Sequence, residues 1–357
     1  MERIDKAFSF VKASLHWCKR FAKGEETFLR ILNRRTIYED LRKRRPVVHG
    51  YPFIAYIDIC NYCNLRCPLC PTGQGRHERK QDMMSVEAFR KIMEQIGKYL
   101  YVVRLDSWGE PLLNRNIFKI IECAVSFGIY VSFSTNLNIL RSGDAERLVK
   151  SGVSEIYVSM DGATQASYES YRRGGSLQKV IENIQQIQEV KIRLRRKKPR
   201  ITVYFLVMRH NQHEVESARA IAEGLKVNFI AGLVRVDTGR EILAPLPELI
   251  CAAEDWLPTD PRFQRYDTAK AQSKMPRQFC EWPWTYITIN PDGAVSPCCA
   301  VYPEKYDFGN ILESSFQDVW NGERYVSART ILGGSSKTFN SCITICYICK
   351  QNGLLSA

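Results

Sequence analysis

The thiols of Cys63, Cys67 and Cys70 fall in the run Cys60-Asn-Tyr-Cys63-Asn-Leu-Arg-Cys67-Pro-Leu-Cys70-Pro71, with the spacing Cys-x3-Cys-x2-Cys. The run follows an apolar, β-branched stretch over residues 53–59. At the mouth of a strand, a loop can turn all three sulfurs inward, whereas a continuing strand would send alternate ones to opposite faces. Three thiolates suit a soft metal centre and leave one position without a protein ligand, as in a four-iron cluster held by three cysteines. A closed structural site normally takes four ligands. Cys60 forms Cys-x2-Cys with Cys63, so half of a zinc site, or a cysteine loop without metal, is the competing reading. A second set of thiols lies near the other end. Cys280 precedes Trp284-Thr-Tyr-Ile-Thr-Ile289 and the turn at Asp292-Gly293, a hairpin that returns the chain to Cys298 and Cys299, and the pair Cys346-x2-Cys349 follows later. Together they can place four sulfurs around one centre, and spacing alone suits a zinc ribbon and an iron–sulfur cluster about equally.

Positioning such groups requires a scaffold. Apolar, β-rich segments at residues 54–59, 101–106, 129–134, 155–160, 201–208 and 227–233 alternate with helical stretches. One helix begins after Ser85 and carries Val86, Phe89, Met93 and Ile96 on one side; others cover 117–127, closed by Gly128, and 145–150, closed by Gly152. A long one aligns Leu177, Val180, Ile184 and Ile187. Six strand-then-helix units imply an α/β fold with a parallel sheet, either open and doubly wound or a partial or full barrel, because each right-handed crossover returns the chain to the same edge. Function in such sheets collects at the C-terminal strand ends. There the sequence places the cysteine loop, Asp106-Ser-Trp-Gly-Glu-Pro111, Ser134-Thr-Asn136 and Ser159-Met-Asp-Gly162. Glu110 suits a cationic amine, Gly109 lets backbone approach closely, and Ser159 and Asp161 suit sugar hydroxyls. Taken singly, Gly-Glu-Pro and Asp-Gly are also ordinary turn sequences.

At 357 residues, with 45% hydrophobic and 25% charged content, the chain reads as globular, with room for two domains. No apolar run of about 18 residues occurs, and Lys6, Lys12 and Lys19 interrupt the N-terminal apolar residues, so a cytoplasmic protein is expected. Thirteen cysteines then point to metal or redox chemistry instead of disulfides. The charge of +13 is concentrated in residues 1–50 and in the basic run 191–200. Such clusters suit nucleic acid, acidic lipid or an anionic substrate, or form a solvated helix face. Residues 1–50 read as a helical extension, with Phe8, Val11, Leu15, Cys18 and Ala22 near one face and Phe28, Ile31, Leu32 and Ile37 in a second segment. It is expected to pack on the core; peripheral membrane contact is the alternative.

In combination, Cys63-x3-Cys67-x2-Cys70, Gly109-Glu110-Pro111, Ser159-x-Asp161-Gly162 and Cys280-x12-Gly293-x4-Cys298 resemble the radical S-adenosylmethionine (SAM) superfamily, in its members with a C-terminal SPASM or "twitch" domain. The likeness runs from about residue 52 to 350. It implies a partial (β/α)6 TIM-like barrel over 51–240, after the basic extension 1–50, then a linker at 241–275 and a small iron–sulfur domain containing a β-hairpin over 276–357. It also implies a 4Fe–4S cluster on Cys63, Cys67 and Cys70 that chelates SAM. Leu69 would lie near the adenine, Gly109 and Glu110 at the methionine amine, and Ser134, Asn136, Ser159 and Asp161 along ribose and carboxylate. Arg172, in Tyr171-Arg-Arg-Gly-Gly-Ser176, would pair with the methionine carboxylate. Trp108 stands where the family often has a first glycine. Six cysteines from Cys280 onward, against the seven of a full SPASM domain, imply one auxiliary 4Fe–4S cluster on Cys280, Cys298, Cys346 and Cys349, with Cys342 as a substitute and Cys299 as a bystander. The implied reaction is reductive cleavage of SAM, fed by an external one-electron reductant such as flavodoxin or ferredoxin, and hydrogen abstraction from a small-molecule or carbohydrate-type substrate. The alternatives are a peptide-modifying maturase or, from another class, a zinc-stabilised nucleic-acid-binding protein.

Overall fold

The computed structural model describes residues 27–76, 79–236, 244–274, 279–334 and 342–352. The first amphipathic stretch of the expected extension, with Phe8 to Ala22, lies outside them.

Six parallel strands, β1 (Ile54–Ile57), β2 (Val102–Arg104), β3 (Tyr130–Thr135), β4 (Glu155–Ser159), β5 (Arg200–Val207) and β6 (Asn228–Leu233), lie side by side in sequence order. A short antiparallel ribbon, β7 (Tyr266–Asp267) with β8 (Gln272–Ser273), follows outside this sheet. The hairpin expected around Asp292-Gly293 forms as β9 (Tyr286–Ile289) and β10 (Val295–Ser296), with Gly293 at φ 84°, a left-handed value that favours glycine. β9 does not stand apart: it pairs in parallel with β1, so the sheet order is β10-β9-β1-β2-β3-β4-β5-β6.

The two faces of this sheet differ, and the difference makes the site. Ala55, Ile57, Val103, Val131, Phe133, Ile156 and Val203 are fully buried on one face. They pack beneath helices α1 (Phe28–Arg42) through α7 (Val215–Gly224), of which α2 (Val86–Ile96), α3 (Ile117–Ser126) and α6 (Leu177–Arg193) supply the broadest apolar stripes, including Phe89, Ile121 and Ile184. Ser85 starts α2 by accepting from the Ala88 amide at 3.0 Å, and Ser176 starts α6 in the same way. The alternate residues Tyr56, Arg104, Ser134, Tyr157, Ser159 and Tyr204 face the other way and stay partly exposed. A parallel sheet covered on both faces would be apolar throughout. Here one face is the polar, aromatic lumen of a partial barrel.

The described part of the extension packs on the core. Arg30 donates to Phe127 O at 2.6 Å and so binds the carbonyl end of α3, where a cation is favoured. Trp284 Nε1 donates to Arg45 O, and buried Arg329 donates to Pro283 O and Pro46 O, tying residues 45–50 to the C-terminal segment. The stretch 241–275, expected as a linker, contains in its described part a helix at Leu246–Ala252. Its Leu249, Ile250, Leu257 and Tyr266 are buried in one cluster with Leu65, Cys67, Tyr171 and Met208. Short elements hid this packing, because none is long enough to display a period.

Candidate cluster and cofactor site

The loop after β1 is shaped by backbone contacts that allow no side chain. A Cβ on Gly109 would lie 2.0 Å from Cys60 O and 2.7 Å from Tyr62 N, and one on Gly73 would lie 2.5 Å from Cys67 N. Within the loop, Cys63 Sγ accepts from Leu65 N at 3.4 Å and from Asn136 Nδ2 at 3.6 Å. Cys67 Sγ accepts from Arg172 Nη1 at 3.7 Å. Burial pushes the Cys63 thiol up to about 12, with Cys67 and Cys70 close enough to add to the rise. The Cys67 thiol is raised by burial too, against the pull of Arg172. Cys60 is buried and donates to the carbonyl of Tyr62 in its own loop. Leu69 is partly buried beside Cys63 and Cys70.

Glu110, 2% exposed, closes one side of the loop. Its Oε1 accepts from Leu112 N at 3.1 Å and Thr135 Oγ1 at 2.7 Å, and its Oε2 from Asn136 N at 2.8 Å. Burial nevertheless raises its pKa above the usual carboxylate range. The other side is closed by Arg172, whose Nε donates to Asp161 Oδ2. Asp161 is itself fully buried and its Oδ1 accepts from Leu206 N at 2.7 Å, so both of its oxygens face protein donors. Ser134 Oγ accepts from Arg104 Nη2 at 2.9 Å, and Ser159 ends β4 on the lumen face. Trp108 has turned its ring onto Tyr302, 4.7 Å between centroids, while its amide donates to Asp58 Oδ2 at 3.3 Å.

At the other site, Cys280, Cys298, Cys346 and Cys349 line one apolar recess with Val301 and Leu332. Burial pushes Cys280 up to about 12, with Cys298 adjacent. Cys346 is raised further by burial, and Cys280, Cys298 and Cys349 are its charged neighbours. Cys342 is not among the lining residues; its carbonyl accepts from Ser327 Oγ at 2.6 Å. Cys299 faces the lumen, where Arg235, Arg104 and Asp106 are its neighbours beyond Cys298. Among the described residues, no three His, Cys, Asp or Glu side chains close to the dimensions of a single-ion site. A four-iron cluster spreads its ligands wider than one ion does.

The sequence profile described as the radical SAM superfamily matches residues 57–221, and that of the SPASM iron-sulfur cluster-binding domain matches 280–350. The chain belongs to the radical SAM superfamily. As a radical SAM protein with a SPASM domain, it uses 4Fe–4S clusters and SAM. Both cysteine groups fall inside these matches, which displaces the zinc-stabilised alternative. The GTP 3',8-cyclase of Listeria welshimeri is 32% identical over 149 residues, 40% of this chain and 43% of that protein. The chain thus spans less than half the length of that relative. The PqqA peptide cyclase of Rhizobium meliloti is 23% identical over 75% of this chain and 73% of its own. The fold is that of Streptococcus suis SuiB, solved bound to the precursor peptide SuiA: TM-score 0.60 at 16% identity, covering 92% of this radical SAM chain and 80% of SuiB. No described helix is long and apolar enough to cross a membrane.

Sequence reasoning missed Thr135 and Arg104 as lumen residues. Thr135 sits inside the quoted Ser134-Thr-Asn136 motif, and its hydroxyl was the available signal. Arg104 reads as a strand residue of β2, and only the one-sided covering of the sheet exposes it as a lumen group, whereas Asp106 opens the quoted strand-end motif.

Proposed function

We propose that the protein is a radical SAM enzyme that modifies a peptide. The observation that carries the site assignment is the placement of opposite charges around the first thiol triad. Glu110 stands on one side, linked through Asn136 to Cys63, and Arg172 stands on the other, against Cys67. An acid and a base flanking three thiols complement the amine and carboxylate of an amino-acid moiety, and SAM ends in one. In this reading Cys63, Cys67 and Cys70 hold the cluster, Glu110 takes the amine and Arg172 the carboxylate. Leu69, Gly109, Ser134, Asn136 and Ser159 line the rest. Asp161 belongs to the ribose and carboxylate wall and also orients Arg172, which donates to its Oδ2, while its Oδ1 accepts from Leu206 N. Cys280, Cys298, Cys346 and Cys349 hold the auxiliary cluster. Desolvated thiols that repel one another when ionised suit a cationic iron core, which stabilises their thiolates.

When bound, the cluster and SAM supply one-electron reductive cleavage and a carbon radical able to take hydrogen from an unactivated position. The chain's own residues fix the reacting groups in position, and the buried cover over the cysteine loop keeps water from them. The electron comes from an external carrier of the flavodoxin or ferredoxin kind. The peptide reading is preferred to the small-molecule or carbohydrate-type reading because similarity to the PqqA peptide cyclase extends over three quarters of both chains.

The test is anaerobic reconstitution with SAM, dithionite and deuterated candidate peptides. Release of 5'-deoxyadenosine that carries deuterium from a peptide supports the proposal. Intact SAM in iron-loaded protein refutes the radical assignment; label transfer only from sugars or other small metabolites refutes the peptide assignment.

A further inference from the structure

The fold brings the two basic clusters of the sequence to one end of the barrel, the end from which the strands start. α1 caps that end. Arg30 donates to Phe127 O at 2.6 Å and to Gly97 O at 3.4 Å, and Asn33 Nδ2 donates to Tyr51 O at 2.9 Å, carbonyls that precede β3, β2 and β1. The run 191–200 closes α6 and leads into β5, so it opens on the same end. In strand-then-helix units every segment entering a strand lies at this end. Here those segments, residues 43–53, 97–101, 127–129, 152–154, 194–199 and 225–227, hold nine lysines and arginines and no Asp or Glu. The acids sit at the opposite end, where Asp58, Asp106 and Asp161 follow β1, β2 and β4.

The cations at the strand-entry end are largely unmatched. Arg193 and Arg200 pair with Glu146 and Glu155, but Arg195, Arg196, Lys197 and Lys198 are exposed and have no carboxylate partner among the described residues. The carbonyl end of α6 favours Lys191 and Arg193 in its last turn; the four that follow lie beyond it. The acids of α1 are taken, Glu39 by Lys43 and Asp40 by Arg45. Large apolar side chains stand among these charges. α1 turns Arg30, Asn33, Ile37 and Asp40 inward, while Phe28, Leu29 and Leu32 on its outer face are 72%, 41% and 44% exposed. Arg35 and Arg42 continue that outer face. Ile192, beside the basic run, is 75% exposed. Exposed apolar groups gathered among unpaired cations mark a docking surface.

We propose that the strand-entry end of the barrel docks on an anionic lipid bilayer. Acidic headgroups take the cations, and Phe28, Leu29, Leu32 and Ile192 enter the boundary between headgroups and acyl chains. Nucleic acid would match the charge but offers aliphatic side chains no apolar layer. The segment before α1, outside the described residues, has a sequence of the same kind. Residues 6–24 contain no Asp or Glu, and helical spacing puts Phe8, Phe10, Val11, Leu15, Trp17 and Phe21 on one half and Lys12, Lys19, Arg20 and Lys23 on the other. Docking at this end turns the cysteine loop after β1 away from the bilayer, open to substrate and electron carrier. It is independent of whether the substrate is a peptide.

The experiment floats reconstituted protein with vesicles of phosphatidylcholine, alone or mixed with phosphatidylglycerol. Partition into the anionic vesicles should be at least roughly tenfold stronger, and should weaken at about 0.5 M salt. Phe28→Glu with Leu32→Glu, and separately Arg196→Glu with Lys197→Glu, should each lower it at least roughly tenfold, two basic side chains near the surface being sufficient for that. All four residues are exposed. Where circular dichroism shows one double variant to be unfolded, the other decides. Equal partition into both kinds of vesicle, none into either, or wild-type partition by a folded variant overturns the proposal. Tighter retention by single-stranded RNA than by anionic vesicles at the same salt overturns it in favour of nucleic acid. Self-association that both variants abolish, without vesicle binding, overturns it in favour of a second copy of this chain. SAM cleavage without vesicles should match wild type in both variants; its absence in the wild type refutes the radical assignment and leaves the partition ratios standing.

Discussion

Thr135→Val tests whether Glu110 works as a buried, ionised carboxylate. Of the three protein donors to Glu110, Leu112 N and Asn136 N belong to the backbone, so the Thr135 hydroxyl is the one a side-chain substitution can remove. Valine keeps the branched shape. A hydrogen bond to a charged group contributes about 1.5–3 kcal/mol, and its loss falls on the ionised form of Glu110. Burial already raises this group above its ordinary pKa of 4.5. The ionised form is the one that attracts a cationic amine, so SAM affinity should fall as pH drops through the folded pKa of Glu110, and in Thr135→Val that fall should begin at higher pH. Between the two midpoints the variant should bind SAM roughly tenfold or more weakly, while well above both the curves should approach each other. The variant also frees the Leu137 amide, which donates to Thr135 Oγ1 at 2.9 Å. That loss does not depend on pH, so the displacement of the midpoint isolates Glu110. Equilibrium dialysis of SAM against reconstituted protein from pH 5 to 9 is the measurement. Superimposable wild-type and variant curves would refute the reasoning.

Cys67→Ala should remove one of two four-iron clusters, leaving about four of about eight irons, and abolish 5'-deoxyadenosine release. Cys349→Ala should lose a similar amount of iron yet retain some SAM cleavage uncoupled from product; iron assay and chromatography read both. Gly109→Ala drives a Cβ to 2.0 Å from Cys60 O, so it should cost about 1–3 kcal/mol in stability and weaken SAM binding; a wild-type melting temperature with normal SAM affinity contradicts this. Arg79→Met strands the Asp307 and Asp292 carboxylates that its guanidinium bridges. A loss of about 3–5 kcal/mol and a lower thermal midpoint are expected, and an unchanged midpoint would show the bridge to be dispensable. Glu155 is held down to about 2, because its bonds from Arg200, Tyr130, Thr202 and Tyr157 outweigh the effect of burial. Its stabilisation is present above the ordinary glutamate pKa and lost as pH falls through about 2. Glu155→Gln should flatten that part of the curve of urea midpoint against pH; an unchanged slope counts against it.

The strand-ending motifs were legible in the sequence because each combines a period with an interruption. Strands that read as apolar stop at Cys60, Asp106, Ser134 and Ser159, and the structure gathers those ends into one region. Pairing β9 against β1 was not legible, since a hairpin's turn residues fix its own register and say nothing about which foreign edge it joins. Nor was the cover formed by 244–274, whose helix Leu246–Ala252 is too short to show an amphipathic stripe. Arg172 was placed by the motif resemblance, while its bond to Asp161 joins two separate elements and could be read from neither alone. Cys299 was read as a bystander beside Cys298, and the turn after β10 leaves it outside the recess that Cys298 lines.

The place of β9 has a practical consequence for rearranging this protein. Cut after β6, the barrel would bare the whole length of β1 as an open edge, an invitation to pair with a neighbouring molecule and precipitate. Arg79 would meanwhile lose both of its anionic anchors, Asp292 and Asp307, which arrive only with the tail. A chimera that borrows its terminal module from elsewhere must therefore import a matching edge strand and two acids along with the new cysteines.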